Sequence, residues 1–267
     1  MDLGIADATA VVTGGSKGMG RAVAEILAAD GARVAVMARG KEALDETASV
    51  LGDLGSPEAV GISVDMTDPG SIASAFEQVG ARWGSLNILV HTIGPGAGRF
   101  EELDDAGWDD AFRLGTMAAV RTVRVALPLL REAEWGRIAI FSAHSIQRQS
   151  PMLVAYTASK AAVTSLAKNL SKTLAPDGIL VNAVCPGSIV TASFTENLKE
   201  IFAAENLDPT SPHDVMTWID KTFHQPADLG RAGLPDEVAS LTAYLVSRRN
   251  GYVTGACVNA DGGSDFV

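Results

Sequence analysis

The sequence predicts a doubly wound α/β domain, a seven-stranded parallel sheet flanked by helices and built as a single unit over residues 1–267. Three observations carry that expectation. Short runs rich in Val and Ile recur along the chain, helical patterns separate them, and no internal repeat or low-complexity linker interrupts the alternation. Hydrophobic residues make up 47% of the 267 and charged residues 20%, which supplies a large core and excludes global disorder.

The strand candidates, in order, are Ala10–Val12, Val34–Met37, Val60–Val64, Leu86–Val90, Ile138–Phe141, Ile179–Val184 and Ala256–Val258. Each is too short for a buried helix. Between them, Leu44, Thr47, Ala48 and Leu51, and then Ile72, Phe76 and Val79, recur at helical spacing. Right-handed crossovers would place these helices on both faces of a parallel sheet. Residues 192–230 break the rhythm, with no strand candidate in 39 residues. Thr195 is read as the cap of a helix through Glu205. Ser211-Pro212-His213-Asp214 gives a second cap, a first-turn proline and an acid before Val215–Phe223. An excursion this long inside a compact domain reads as a helical substrate lid.

Charge and cysteine usage narrow the function classes. Against 32 acids the chain sets only 21 bases, a net charge of −11, and no dense Lys/Arg block offsets it, which argues against a nucleic-acid partner. The start, Met1 to Ile5, has no basic segment, and no apolar run approaches the roughly 18 residues needed to span a bilayer. A soluble, cytoplasmic protein without a membrane partner is expected. Cys185 and Cys257 have neither disulfide-scaffold nor zinc spacing, so no metal is expected and both read as buried small hydrophobes.

The first strand candidate runs into Thr13-Gly14-Gly15-Ser16-Lys17-Gly18-Met19-Gly20, followed by an Ala/Leu-rich helix. Glycines at a strand-to-helix turn permit a tight bend and close backbone approach to a pyrophosphate, whose charge a helix N-terminus favours. Later, Tyr156 and Lys160 are spaced i, i+4 on a predicted helix, so both project from one face. A neighbouring ammonium is expected to lower the tyrosine pKa, fitting it to pass a proton to or from an oxygen as hydride moves at the adjacent carbon.

The TGxxxGxG spacing, Tyr156-Thr-Ala-Ser-Lys160, Pro186-Gly187 and the closing Asp261-Gly262-Gly263 fall in the order of the short-chain dehydrogenase/reductase family, which the chain resembles over nearly its whole length. The resemblance implies a Rossmann-type domain. It assigns cofactor contacts to Gly14, Ser16, Lys17, Gly18, Met19, Gly20, Arg39, Asp65, Met66, Gly94, Lys160, Pro186, Gly187, Ile189 and Thr191. Arg39 ends the second strand where NAD-selective dehydrogenases usually offer an acid, and an arginine there suits a 2′-phosphate. With Lys17 inside the glycine loop, it points to NADP(H) in preference to NAD(H). Asp65 reads either as an adenine contact or as a plain helix-start residue. Lys160 would also bond the nicotinamide ribose.

Three positions depart from the family pattern. The serine expected thirteen residues before the tyrosine is Ala143, leaving Ser145, Ser142 or His144 to orient a substrate oxygen; Ser145 is the leading candidate. The asparagine that helps hold a proton-relay water aligns with Gly115, in a long helix after the fourth strand. His91-Thr92-Ile93-Gly94 stands where relatives have Asn-Asn-Ala-Gly. The lid carries Leu198, Ile201, Phe202, Leu207, Val215, Met216, Trp218, Ile219 and Phe223, which either cover a hydrophobic substrate or hold the lid helices in place.

The resulting expectation is an NADP(H)-dependent oxidoreductase interconverting a hydrophobic secondary alcohol and a ketone. Tyr156 and Lys160 carry the chemistry, with Ser145 or Ser142 orienting the oxygen. The alternative is a dinucleotide-binding regulator of reduced activity. Reduction of a conjugated double bond fits less well, because enoyl reductases of the superfamily usually separate the tyrosine and lysine more widely. The resemblance also implies a homotetramer, with the helices carrying Gly115 and Tyr156 at an interface.

Overall fold

The computed structural model describes residues 2–264, so Met1 and residues 265–267 of the expected domain lie outside it. Seven strands form one sheet: β1 (Thr9–Thr13), β2 (Arg33–Ala38), β3 (Ala59–Ser63), β4 (Ile88–His91), β5 (Gly136–Phe141), β6 (Ile179–Pro186) and β7 (Cys257–Ala260). Their spatial order is β3-β2-β1-β4-β5-β6-β7, and every pairing is parallel. All seven expected strands are present, their ends shifted by no more than two residues.

Alternation along the strands divides the interior in two. Ala10, Val12, Val34, Val36, Ile88 and Val90 face α1 (Gly18–Ala29), α2 (Lys41–Asp53) and α9 (Pro235–Val246). Val11, Ala35, Met37, Leu89, Ile138 and Ile140 face α3 (Pro69–Trp83), α5 (Ala118–Glu132) and α6 (Val154–Leu174). Central strands β1, β4 and β5 are buried at every position, as a sheet covered on both faces requires. The chain order reverses between β1 and β4, and ligands of such sheets sit beyond the strand C-termini at that switch.

The long helix expected after β4 is instead two helices joined by a wider turn. α4 (Asp105–Phe112) passes into a π turn over Arg113–Met117 and then into α5. The 192–230 excursion folds as α7 (Ala192–Ala204) and α8 (Pro212–Phe223). Ser211 caps α8 as expected, accepting from the Asp214 N–H at 3.3 Å, with Pro212 in the first turn. The cap of α7 is Thr191, whose hydroxyl accepts from the Phe194 N–H at 3.2 Å. Thr195 lies inside that helix and its hydroxyl donates to the Pro209 carbonyl. Chain geometry decides between the two threonines, because Ile189 bridges Gly233 and the helix starts as soon as that extended segment ends.

Most of the apolar residues of 192–230 pack against one another. Phe202, Val215, Met216, Trp218 and Ile219 form a third buried cluster, and the Trp218 ring meets those of Phe194, Phe202 and Phe223. Phe202 is fully buried, a contribution of about 1.5–3 kcal/mol to holding the two helices together.

Candidate active site

The glycine loop is shaped by contacts that only glycine allows. Gly14 turns with φ of 72°, and its N–H donates to the Met37 carbonyl at 2.7 Å, tying the loop to the end of β2. A Cβ on Gly20 would sit 2.4 Å from the Gly14 carbonyl oxygen. Helix α1 can therefore start directly against the turn, and its first backbone N–H groups face the mouth of the loop. Lys17, at the cap position of α1, is exposed, and its side chain makes no capping hydrogen bond. A loop that a methyl group would fill, opening on a helix N-terminus, fits a dinucleotide pyrophosphate.

The other expected cofactor residues gather around this loop. A Cβ on Gly18 would lie 3.5 Å from Thr191 Cγ2, so the threonine that caps α7 also covers the start of α1. Arg39 is exposed at the end of β2 and acts electrostatically on Asp65. The Asp65 carboxyl accepts from the Thr67 N–H at 2.9 Å and the Thr67 hydroxyl at 2.8 Å. These bonds, helped by Arg39, hold it below the usual carboxylate range. It closes the turn ahead of α3, whose cap is Asp68, and stays exposed; Met66 beside it is buried. Pro186 and Gly187 are packed on the closing Asp261-Gly262-Gly263, since a Cβ on Gly187 would lie 2.7 Å from Asp261 Cα.

Tyr156, Lys160 and Gly94 meet at the switch point. A Cβ on Gly94 would lie 3.0 Å from Lys160 Cε and 3.7 Å from Tyr156 Cε2. The Lys160 ammonium donates to the Phe141 carbonyl at 2.6 Å and the Ile93 carbonyl at 2.9 Å, and stands 5.9 Å from the centre of the Tyr156 ring. Burial pushes the Lys160 amine down to about 8 and the Tyr156 phenol up to about 12. The expectation that the ammonium lowers the tyrosine is thereby reversed. Desolvation of the phenolate outweighs a cation held by two carbonyls, so Tyr156 is a protonated phenol throughout the neutral range.

The loop after β5 holds both candidate serines. Ser142 faces α6, donating to the Lys160 carbonyl at 3.0 Å and accepting from the Thr164 hydroxyl at 2.7 Å. Ser145 lies in a short 3-10 turn over His144–Ile146 and accepts from the Thr157 hydroxyl at 3.1 Å. The Ser145 proton is thus left for another acceptor, whereas Ser142 has both roles filled. The His144 ring meets the Pro186 carbonyl through Nδ1 at 3.1 Å. Because a carbonyl only accepts, Nδ1 carries the proton.

The other departures from the family pattern have local causes. A Cβ on Gly115 would lie 2.5 Å from Ser159 Oγ and 3.1 Å from Pro95 Cδ, so α6 approaches the π turn too closely for an asparagine in this arrangement. Thr116 beside it donates to the Ser159 carbonyl at 3.1 Å. At the end of β4, His91 Nδ1 meets the Thr13 hydroxyl at 2.9 Å, and the Thr92 hydroxyl donates to the Thr13 carbonyl at 2.7 Å. These side chains make the strand-to-strand bonds expected of the missing asparagines. Burial, with Lys160 nearby, pushes His91 down to about 3 and keeps it neutral.

Two contributors were not visible beforehand. Thr157 is adjacent to Tyr156, but only the fold brings its hydroxyl to Ser145. Arg148 ties the segment after α8 to the stretch after β7, donating to the carbonyls of Ser264 at 2.6 Å, His224 at 3.1 Å and Pro226 at 3.4 Å. An arginine in a loop carries no sequence signal for that role. Among the described residues, no group of three or more His, Cys, Asp or Glu is arranged to hold a metal ion. No helix among them is long and apolar enough to cross a membrane.

A glycine cradle at the switch of a parallel sheet, facing a half-buried tyrosine and a buried lysine, defines a nicotinamide-type oxidoreductase site. A family model described as enoyl-(acyl carrier protein) reductase matches residues 14–265. The chain is 34% identical over 258 residues to a putative ketoacyl reductase of the monensin polyketide synthase from Streptomyces virginiae, covering 95% of each. The crystal structure of L-sorbose reductase from Gluconobacter frateurii, complexed with NADPH and L-sorbose, superposes with a TM-score of 0.91 at 29% identity, covering 99% of this chain and 98% of that one. Actinorhodin polyketide ketoreductase with NADPH, solved as a variant, gives a TM-score of 0.85 at 30% identity over 97% of both chains. The chain belongs to the short-chain dehydrogenase/reductase family, enzymes that act on CH–OH and C=O groups with a nicotinamide cofactor.

Proposed function

We propose that this protein is an NADP(H)-dependent reductase that interconverts a hydrophobic ketone and the corresponding secondary alcohol, and that its site is set for reduction. The observation that carries the reading is the meeting of Gly94, Tyr156 and Lys160, with the phenol held protonated. When bound, the cofactor supplies or takes up hydride at the substrate carbon. Around it, the glycine loop receives the pyrophosphate, Arg39 and Lys17 the 2′-phosphate, and Lys160 the nicotinamide ribose. Tyr156 Oη gives its proton to the carbonyl oxygen, and Lys160 stabilises the phenolate left behind. Ser145 Oγ, anchored by Thr157, donates to that oxygen and holds the carbonyl in line. The NADPH complexes of the sorbose reductase and the actinorhodin ketoreductase support the cofactor choice.

The reading is tested with purified protein, NADPH and a panel of hydrophobic ketones, following cofactor oxidation. Ser145→Ala is expected to lower kcat roughly 10²–10³-fold, as loss of one oxyanion donor does. Ser142→Ala is expected to leave kcat nearly intact and lower the melting temperature, because it strips a bond from the β5–α6 contact. The reverse pattern would move the orienting role to Ser142. Arg39→Asp should weaken NADPH binding roughly 10- to 100-fold, the scale of a lost charge-assisted bond, and favour NADH. An unchanged ratio of the two affinities would remove Arg39 from the phosphate. A homotetramer is also proposed, supported by Phe112 and Met117, which stand exposed on the α4–α5 surface, and is checked by sedimentation velocity.

A further inference from the structure

The two cysteines of the chain lie on neighbouring strands, Cys185 on β6 and Cys257 on the edge strand β7. The register of β6 against β7 sets Ala183 opposite Cys257 and Cys185 opposite Asn259. Side chains two apart on a strand share a face, so the two thiols point to the same side across a diagonal. Their Sγ atoms are 2.8 Å apart, well inside van der Waals contact. Cys185 is fully buried, whereas Cys257 is exposed, which corrects the expectation that both are buried hydrophobes. No other cysteine in the chain competes for either.

We propose that Cys185 and Cys257 form a modification site, a dithiol that peroxide oxidises to an intrachain disulfide across β6 and β7. The exposed Cys257 reacts first. Its sulfur takes one oxygen from hydrogen peroxide, becoming a sulfenic acid with release of water. Cys185 Sγ then attacks that sulfur, the S–S bond forms as the S–O bond breaks, and a second water leaves. Two thiols lose two protons and two electrons, and the peroxide is reduced to two waters. Cys185 is suited to the second role. Contact with the Cys257 thiol, together with burial, holds it above the usual thiol range, so it stays protonated until its neighbour has been oxidised.

The bond would be felt in the cleft. Cys185 adjoins the Ser142 hydroxyl and the Ala143 N–H, and Pro186, the next residue, receives the His144 bond. Drawing Cys185 onto β7 shifts the segment that the reductase reading places beside the nicotinamide, so the effect on turnover, unlike the disulfide itself, rests on that reading.

The full-length protein is treated with one equivalent of hydrogen peroxide, denatured, alkylated with iodoacetamide and weighed intact. Untreated protein is expected to take two alkyl groups. Oxidised protein should take none and gain no oxygen, and dithiothreitol should restore both. Cys257→Ser should keep its remaining thiol open to alkylation after peroxide. Two alkylatable thiols after treatment, oxygen adducts, or disulfide-linked dimers would each overturn the disulfide. Ketone reduction by the oxidised protein should fall several-fold and recover with dithiothreitol, with Cys257→Ser indifferent to peroxide. A disulfide that leaves turnover unchanged overturns the coupling to the site. Absence of turnover in the reduced protein counts against the reductase reading, while the mass measurement still decides the disulfide.

Discussion

Replacing Tyr156 by phenylalanine is expected to lower ketone reduction roughly 10²–10⁴-fold, the usual span for a positioned general acid, while NADPH affinity stays nearly unchanged. The ring lies against Gly94 and near Lys160, and phenylalanine preserves those contacts while removing only the hydroxyl. With the phenol up at about 12, the wild-type side chain is loaded with its proton at every pH where the protein would be assayed. Reduction at pH 7 should therefore proceed without the ionisation that alcohol oxidation requires, and oxidation should gain rate as pH rises toward that value. Stopped-flow single turnovers with NADPH separate binding from chemistry. Equal losses of cofactor affinity and of turnover would make Tyr156 a binding residue, and retained turnover would remove it from the chemistry.

The fold was legible because its signal is local and repeated. Residues such as Val34–Met37 and Ile138–Phe141 are β-branched or apolar, short and bounded by helical spacing, and a parallel sheet buried on both faces leaves them no other reading. The glycine loop and the Tyr156–Lys160 pair were legible for the same reason, each being a spacing within one turn or one helix. What escaped was set by contacts between distant elements. The π turn at Arg113–Met117 sits where Ser159 and Pro95 crowd Gly115, and the helical pattern of residues 108–116 does not show it. Cys257 is exposed because β7 ends the sheet, and edge position is a property of strand order. The Tyr156–Lys160 spacing shows the lysine charge one turn away but not the burial of either group. Once both groups are inside the protein, desolvation acts on each and moves the two pKa values in opposite directions.

That desolvation gives Lys160 opposite effects on stability and on activity over one range of pH. Its amine falls from 10.5 to about 8 on folding, so between those values the unfolded chain binds more protons than the native one, and stability rises with pH. The cost of burying the cation is felt in full below about pH 8 and is gone above about 10.5, a gain of about 3 kcal/mol at 1.36 kcal/mol per unit. Tyr156 works the other way above pH 10, where the unfolded phenol ionises and the native one does not. Ketone reduction should fall over the range in which Lys160 stability is gained, because neutral Lys160 no longer stabilises the phenolate that Tyr156 leaves on giving up its proton. Lys160→Met should lose turnover at every pH, by a factor comparable to that of Tyr156→Phe, and should also lose the pH-dependent part of the stability difference. Urea unfolding of both proteins between pH 7 and 10.5 measures this difference. A wild-type advantage that fails to grow by about 3 kcal/mol over that range would mean that the buried ammonium is already solvated or paired, and that the descending limb of activity belongs to another group.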